Sequence, residues 1–138
     1  PMGLYPFVFD GFFTATIEDE LDICLVRIDT HQLKKQWYLD AYIKTETSQL
    51  TLIDPTKVHP VGQWAHAAVT YKDGEFVSYV NGVRELSAQV NYLPIAAQAK
   101  TSIGARMNQV HWFNGDIAQV RISKTALTPE QFFIPQPK

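Results

Sequence analysis

The sequence predicts an all-β fold, two antiparallel sheets stacked as a sandwich. Three observations predict it. The dipeptides Asp73-Gly74 and Asn81-Gly82 stand in the middle of the chain, and both suit two-residue type I′ hairpin turns, whose central positions need positive φ. Runs rich in β-branched and aromatic residues recur roughly every 8–12 residues with turn residues between them. Residues 36–44 alternate, with Trp37, Leu39, Ala41 and Ile43 on one side and Tyr38, Asp40, Tyr42 and Lys44 on the other. A period of two marks a strand with one face on a core and the other in water.

The strands follow in order. Leu4–Phe9 is apolar but contains Pro6, which lacks a ladder donor and so suits an edge strand. Asp10-Gly11 reads as a turn or bulge, and Phe12–Ile17 as the returning strand. Ile23–Ile28 reads as one short buried strand and Leu50–Ile53 as another, ended by Asp54-Pro55. Trp64–Lys72, Glu75–Val80 and Val83–Ser87 form a three-stranded meander around the two turns. On its first strand Ala65, Ala67, Val69 and Tyr71 share one face. Trp64, His66, Ala68 and Thr70 share the other, where Trp64 and His66 are expected to be packed framework. Asn91–Ala99 reads as a loop, Thr101–Ala105 as a strand, and Ile117–Ile122 as the last strand with Ala118, Val120 and Ile122 on one face. Thr128 then opens a short helical turn with Pro129 at its first position and Gln131 completing a capping box.

At 138 residues the chain has the size of one domain with a single core, taken as residues 1–138. A net charge of −2 and a pI near 6.1 offer no basic surface for nucleic acid or anionic lipid. No apolar run approaches the roughly 20 residues of a membrane span. Cys24 is the only cysteine, so no intramolecular disulfide forms, and its apolar neighbours suit a small buried side chain. Pro1-Met2-Gly3 opens without the charge and apolar run of a signal peptide.

Three blocks in the C-terminal half resemble a known family. Trp64, His66, Ala68, Val69, Thr70 and Tyr71, followed by Asp73-Gly74 and by Tyr79-Val80-Asn81-Gly82-Val83, resemble the centre of the laminin-G-like, concanavalin A-like jelly-roll domains. Ser102–Arg106 is similar to that family's "IG" strand. Phe113–Ile122 is similar to its closing strand, and Ala126–Phe132 to its "A-L-S/T-P-E-E-F" tail. The resemblance covers roughly residues 60–134 and implies a jelly-roll sandwich. The family's opening strand, "F-T-x-x-A-W-V", has no clear counterpart, so the N-terminal part is expected to be divergent or shortened.

The resemblance also implies a non-catalytic recognition role with a carbohydrate or protein ligand, in a secreted or extracellular setting. Arg106, Asn108, Gln109, His111 and Trp112 are the candidate ligand-binding residues. Sugar sites join an aromatic platform for the apolar ring face to planar amide and guanidinium donors for the hydroxyls, and this segment supplies both. Tyr38, Asp40 and Tyr42 form a second candidate platform. Relatives that bind calcium use hard oxygen ligands. Here Asp10 and Asp116 are the available donors, while Ala118 stands where the family often has Asp. Relatives that hydrolyse glucans carry carboxylates at alternate strand positions. Glu18, Glu20 and Asp22 alternate here, but in the order E-x-E-x-D rather than E-x-D-x-E, so no catalytic site is assigned. His31, His59 and His111 show no metal-ligand spacing. An oligomerisation role, with another subunit covering a strand edge, is the structural alternative.

Overall fold

The computed structural model describes residues 7–15, 21–23, 26–29, 36–44, 49–90 and 115–132. Ten strands run in chain order: β1 Phe7–Ala15, β2 Leu21–Ile23, β3 Val26–Asp29, β4 Gln36–Lys44, β5 Gln49–Ile53, β6 His59–Pro60, β7 Ala65–Lys72, β8 Glu75–Val80, β9 Val83–Gln89 and β10 Gly115–Ser123. A 3-10 turn, Pro129–Gln131, follows. All pairings are antiparallel. The first sheet has the order β10-β1-β7-β8-β9 and the second β2-β3-β4-β5, with β6 added beside β4. The chain is therefore the two-sheet β sandwich that its turn chemistry predicts.

The two hairpins form as the sequence implies. Asp73 and Asn81 have φ of 51° and 50°, and Gly74 and Gly82 have 81° and 78°. All four central positions are left-handed, the signature of type I′ turns. Asn81 adds a side-chain role: its Oδ1 accepts from the His66 N–H at 2.9 Å, while its own N–H donates to the His66 carbonyl at 2.8 Å. The turn is thereby stitched to the first residues of β7.

Between the sheets lies one apolar core. Ala65, Ala67, Val69 and Tyr71 of β7 and Phe76 and Val80 of β8 meet Trp37, Leu39 and Ala41 of β4 and Leu52 of β5. Small alanines at the start of β7 leave space for Trp37, which is fully buried. A second, smaller cluster covers the outer face of the first sheet. There Ala68 and Phe132 are buried with Tyr79 and Leu127 packed around them. The capped turn at Pro129–Gln131 aims Phe132 inward: the Thr128 N–H donates to Gln131 Oε1 at 2.9 Å, and Arg121 donates to the Gln131 carbonyl at 3.2 Å.

Several sequence expectations are corrected. Asp10-Gly11 makes no turn. β1 runs unbroken through it and is a central strand, because it is hydrogen-bonded to β7 on one side and β10 on the other. Two continuous ladders hold the dipeptide extended. The irregularity falls instead between Phe12 and Phe13, where Ala118 is the extra residue on β10. That bulge breaks the alternation expected of the last strand. Ile117 and Val120 pack against the core, and Ile122 is 68% exposed. Ile23–Ile28 is not one strand but the hairpin β2–β3, in which Ile23 pairs with Val26. The face expected to be wet is partly dry: Tyr38 and Asp40 are buried, while Tyr42 is exposed. Cys24, the predicted loop and strand over 91–105, and residues 106–112 lie outside the described residues.

Candidate functional site

Trp64, one residue before β7, is the most exposed aromatic among the described residues. Its side chain is 48% exposed, which corrects the expectation that it is packed framework. His66, two residues on, is packed as expected: it is 1% exposed and its ring lies 5.5 Å from that of Phe132. The alternation of a strand puts the two on the same side of the first sheet. Phe132 reaches His66, and Trp64 lies at the sheet's margin.

The ladder places a carboxylate on the same face of the sheet as that indole. β7 pairs with β1 through Ala65 opposite Phe13, so extending the register by one residue sets Trp64 opposite Thr14. Thr14 in turn pairs with Asp116 on β10. Trp64 and Asp116, both exposed, thus flank β1 on one face, separated by two strand spacings, or about 10 Å between backbones. Asp10 stands four positions away from Thr14 on β1, about 13 Å along the strand. Among the described residues no group of three or more His, Cys, Asp or Glu side chains is placed to hold a metal ion.

Behind Trp64 the chain is anchored by β6. His59 Nε2 donates to Glu85 Oε1 at 2.6 Å, and its ring lies 4.7 Å from that of Trp37, tilted by 36°. The Trp37 indole N–H donates to the Pro60 carbonyl at 3.1 Å. Glu85 reaches across because it is the extra residue of a bulge on β9, where Ser78 pairs with Leu86 and Tyr79 with Arg84. Before β6, a polar loop closes on itself. Asp54 Oδ1 accepts from the Thr56 N–H at 2.9 Å and from the Thr56 hydroxyl at 2.6 Å. Those two bonds hold the Asp54 carboxyl below its ordinary value, with a smaller contribution from Lys57.

The sequence matches the model of the concanavalin A-like lectin/glucanases superfamily over residues 12–132. The chain belongs to this superfamily. Its match begins well before the blocks that carry the resemblance in the sequence. Solved structures of the same fold include a heptameric SAP-like pentraxin from Limulus polyphemus, with a TM-score of 0.63 at 14% identity over 93% of this chain and 68% of that one. A putative carbohydrate binding protein from Bacteroides ovatus superposes with a TM-score of 0.61 at 17% identity, over 95% of this chain and 41% of that one. Domain 4 of an extracellular arabinanase from Geobacillus stearothermophilus, solved with arabinotriose, gives 0.54 at 20% identity, over 92% and 64%. This concanavalin A-like chain thus spans less than two thirds of two of these three chains. No curated protein matches it.

The predicted site residues fall unevenly on this frame. Arg106, Asn108, Gln109, His111 and Trp112 lie outside the described residues, as do Glu18 and Glu20. Asp22 stands in β2 opposite Arg27, which is itself opposite Asp40. Of the second platform, Tyr42 alone is exposed, diagonal to exposed Ile53 across the β4–β5 ladder. Sequence reasoning missed that Trp64 and Asp116 share a face across β1, and it missed the His59–Glu85 bond. The first depends on the placement of β1 between β7 and β10. The second depends on a bulge that no turn residue announces.

Proposed function

We propose that this chain is a non-catalytic recognition module whose ligand is a carbohydrate, bound at the margin of the first sheet beside Trp64. The observation that carries this reading is the exposed indole of Trp64 on the same face as the exposed carboxylate of Asp116. An indole stacks on the apolar face of a sugar ring, and a carboxylate accepts from hydroxyls, the division of labour that sugar recognition needs. Arg106, Asn108, Gln109, His111 and Trp112 are proposed as further donors and a second stacking surface, because they join an aromatic ring to amide and guanidinium groups. The fold family supports the reading, as do neighbours described as a carbohydrate binding protein and as an arabinanase domain bound to arabinotriose. An extracellular setting is proposed on the same ground.

The test is a glycan array followed by titration of the hits. Binding is expected to be lost in Trp64→Ala and weakened in Asp116→Asn and Trp112→Ala, with folding intact. Glycan binding that survives all three substitutions would overturn the site. Hydrolysis of a β-glucan panel, abolished by Glu20→Gln, would overturn the non-enzymatic reading.

A second reading, a structural or oligomerisation module, is favoured by exposed Val83 and Ile122 on the edge strands β9 and β10. Light scattering showing a monomer at every concentration would remove it.

A further inference from the structure

We propose that Asn81-Gly82 is a site of spontaneous isoaspartate formation that the fold holds shut through His66. The reaction needs only water. The Gly82 backbone nitrogen attacks Asn81 Cγ. Its proton passes through solvent to the side-chain nitrogen, which leaves as ammonia, and a five-membered succinimide ring remains. Water then opens the ring at either carbonyl. Opening at Cγ gives an ordinary aspartate. Opening at the main-chain carbonyl gives isoaspartate, with the backbone rerouted through the former side chain. Glycine favours the attack because no Cβ crowds its nitrogen.

Asn81 is exposed, so water reaches it, and what opposes the reaction is geometry. Asn81 Oδ1 accepts from the His66 N–H at 2.9 Å, and the Asn81 N–H donates to the His66 carbonyl at 2.8 Å. β8 lies between β7 and β9. The side chain is drawn toward β7, whereas Gly82 leads the chain away to β9, where Val83 closes the turn by pairing with Val80. Attack requires Cγ to swing over the Gly82 nitrogen, and that movement breaks the bond to His66. His66 is itself fixed: it is buried, it pairs with Phe12 of β1, and its ring lies against that of Phe132. The dipeptide therefore reacts from the opened turn, at a rate set by how often the turn opens.

The two products differ in what they leave behind. Aspartate keeps an oxygen acceptor for the His66 N–H. Isoaspartate adds a carbon to the main chain inside a two-residue turn, whose type and strand register depend on its loop length. Val80 and Val83 then lose their register, and the acceptor facing His66 is displaced. Ammonia is lost to bulk water, so the step does not reverse. Each opening that ends in isoaspartate removes one turn of the β7–β8–β9 meander permanently.

The experiment follows the peptide carrying Asn81 by its mass and by isoaspartyl methyltransferase labelling, in mildly alkaline buffer. It compares the folded chain, the chain unfolded in guanidinium and a free peptide spanning residues 79–84. Asn114-Gly115 is a second Asn-Gly pair, whose asparagine lies outside the described residues, and it serves as an internal reference in guanidinium. Asn81 is expected to react at similar rates in guanidinium and in the peptide, and at least about tenfold more slowly in the folded chain. In sub-denaturing guanidinium its rate should rise in step with exchange of the His66 amide hydrogen. The isolated isoaspartyl chain should unfold at lower guanidinium than Asn81→Asp, which should stay close to the parent. Its His66 amide should exchange at least about tenfold faster than that of Asn81→Asp. Equal Asn81 rates in the folded and unfolded chains would overturn the protection. So would reaction of Asn81 while the His66 amide stays protected. An isoaspartyl chain as stable as Asn81→Asp would overturn the permanent loss of the turn, and one that no longer folds would uphold it.

Discussion

The ring of Phe132 lies 5.5 Å from that of His66 and 5.2 Å, edge-on, from that of Tyr79. The C-terminal turn thus closes over the outer face of the first sheet, and a histidine on a central strand becomes part of a hydrophobic cluster. The sequence reads His66 as packed framework. Its burial beneath Phe132 makes it framework.

Phe132→Ala should remove the cover from His66 and Ala68. Phe132 is 7% exposed, and emptying a buried aromatic site costs about 3–5 kcal/mol. Urea denaturation should show the loss, with the midpoint lowered and the slope unchanged. A change below about 1 kcal/mol would mean that the tail contributes little to the fold.

The Asn81 turn separates two roles in one residue. Asn81→Gly keeps the positive φ and loses the acceptor for the His66 N–H, so a cost of about 1 kcal/mol is expected. Asn81→Val loses both, and its β-branched side chain disfavours a φ of 50°. It should be the more damaging by at least about 1 kcal/mol. Equal thermal stabilities for the two variants would contradict this division.

Asp54 should give a small acid-side signature. Its folded carboxyl is held below the ordinary value of 3.8, first by the Thr56 side chain and then by the Thr56 N–H. Below that ordinary value the unfolded chain binds more protons than the folded one, so stability rises with pH through this interval. The contribution is complete above pH 3.8 and is lost as pH falls through the folded value. The stability difference between the parent chain and Asp54→Asn should therefore hold steady near neutrality and shrink in acid. A difference that stays constant down to pH 2 would refute the assignment.

Ile122 tests whether an edge is covered. It is 68% exposed on β10, so Ile122→Lys should leave stability within about 0.5 kcal/mol. The comparison should be made at two protein concentrations. A larger loss that grows with concentration would reveal a subunit seated on that edge, as the oligomerisation reading requires.

The parts of this fold that rest on local chemistry were legible in the sequence. Asp73-Gly74 and Asn81-Gly82 dictate their turns because few other residues accept left-handed φ. The inward alanines and Val69 followed from period-two alternation, and the Thr128–Gln131 cap from its spacing. What failed depended on non-local pairing. Asp10-Gly11 has the same look as Asp73-Gly74, yet neighbours on both sides hold it extended. Tyr38 and Asp40 alternate like wet residues, yet both are buried. The bulges at Ala118 and Glu85 carry no marker of their own, and each changes which residues face out. The exposed site at Trp64 belongs to this second class, since Asp116 becomes its neighbour only through β1.

The position of β1 also constrains how this protein can be made. The strand nearest the start of the chain hydrogen-bonds to β7 on one side and to β10 on the other. During vectorial synthesis its second partner emerges from the ribosome only after residue 115, so for most of translation β1 is an open template. Such long-range pairing raises contact order and slows folding, and a waiting strand edge is a site for association between nascent chains. The meander of β7, β8 and β9, joined by its two tight turns, is the segment suited to form early and protect one side of β1. Arrest before β10 should therefore yield a chain that a chaperone must hold, and completion should release it in one late step.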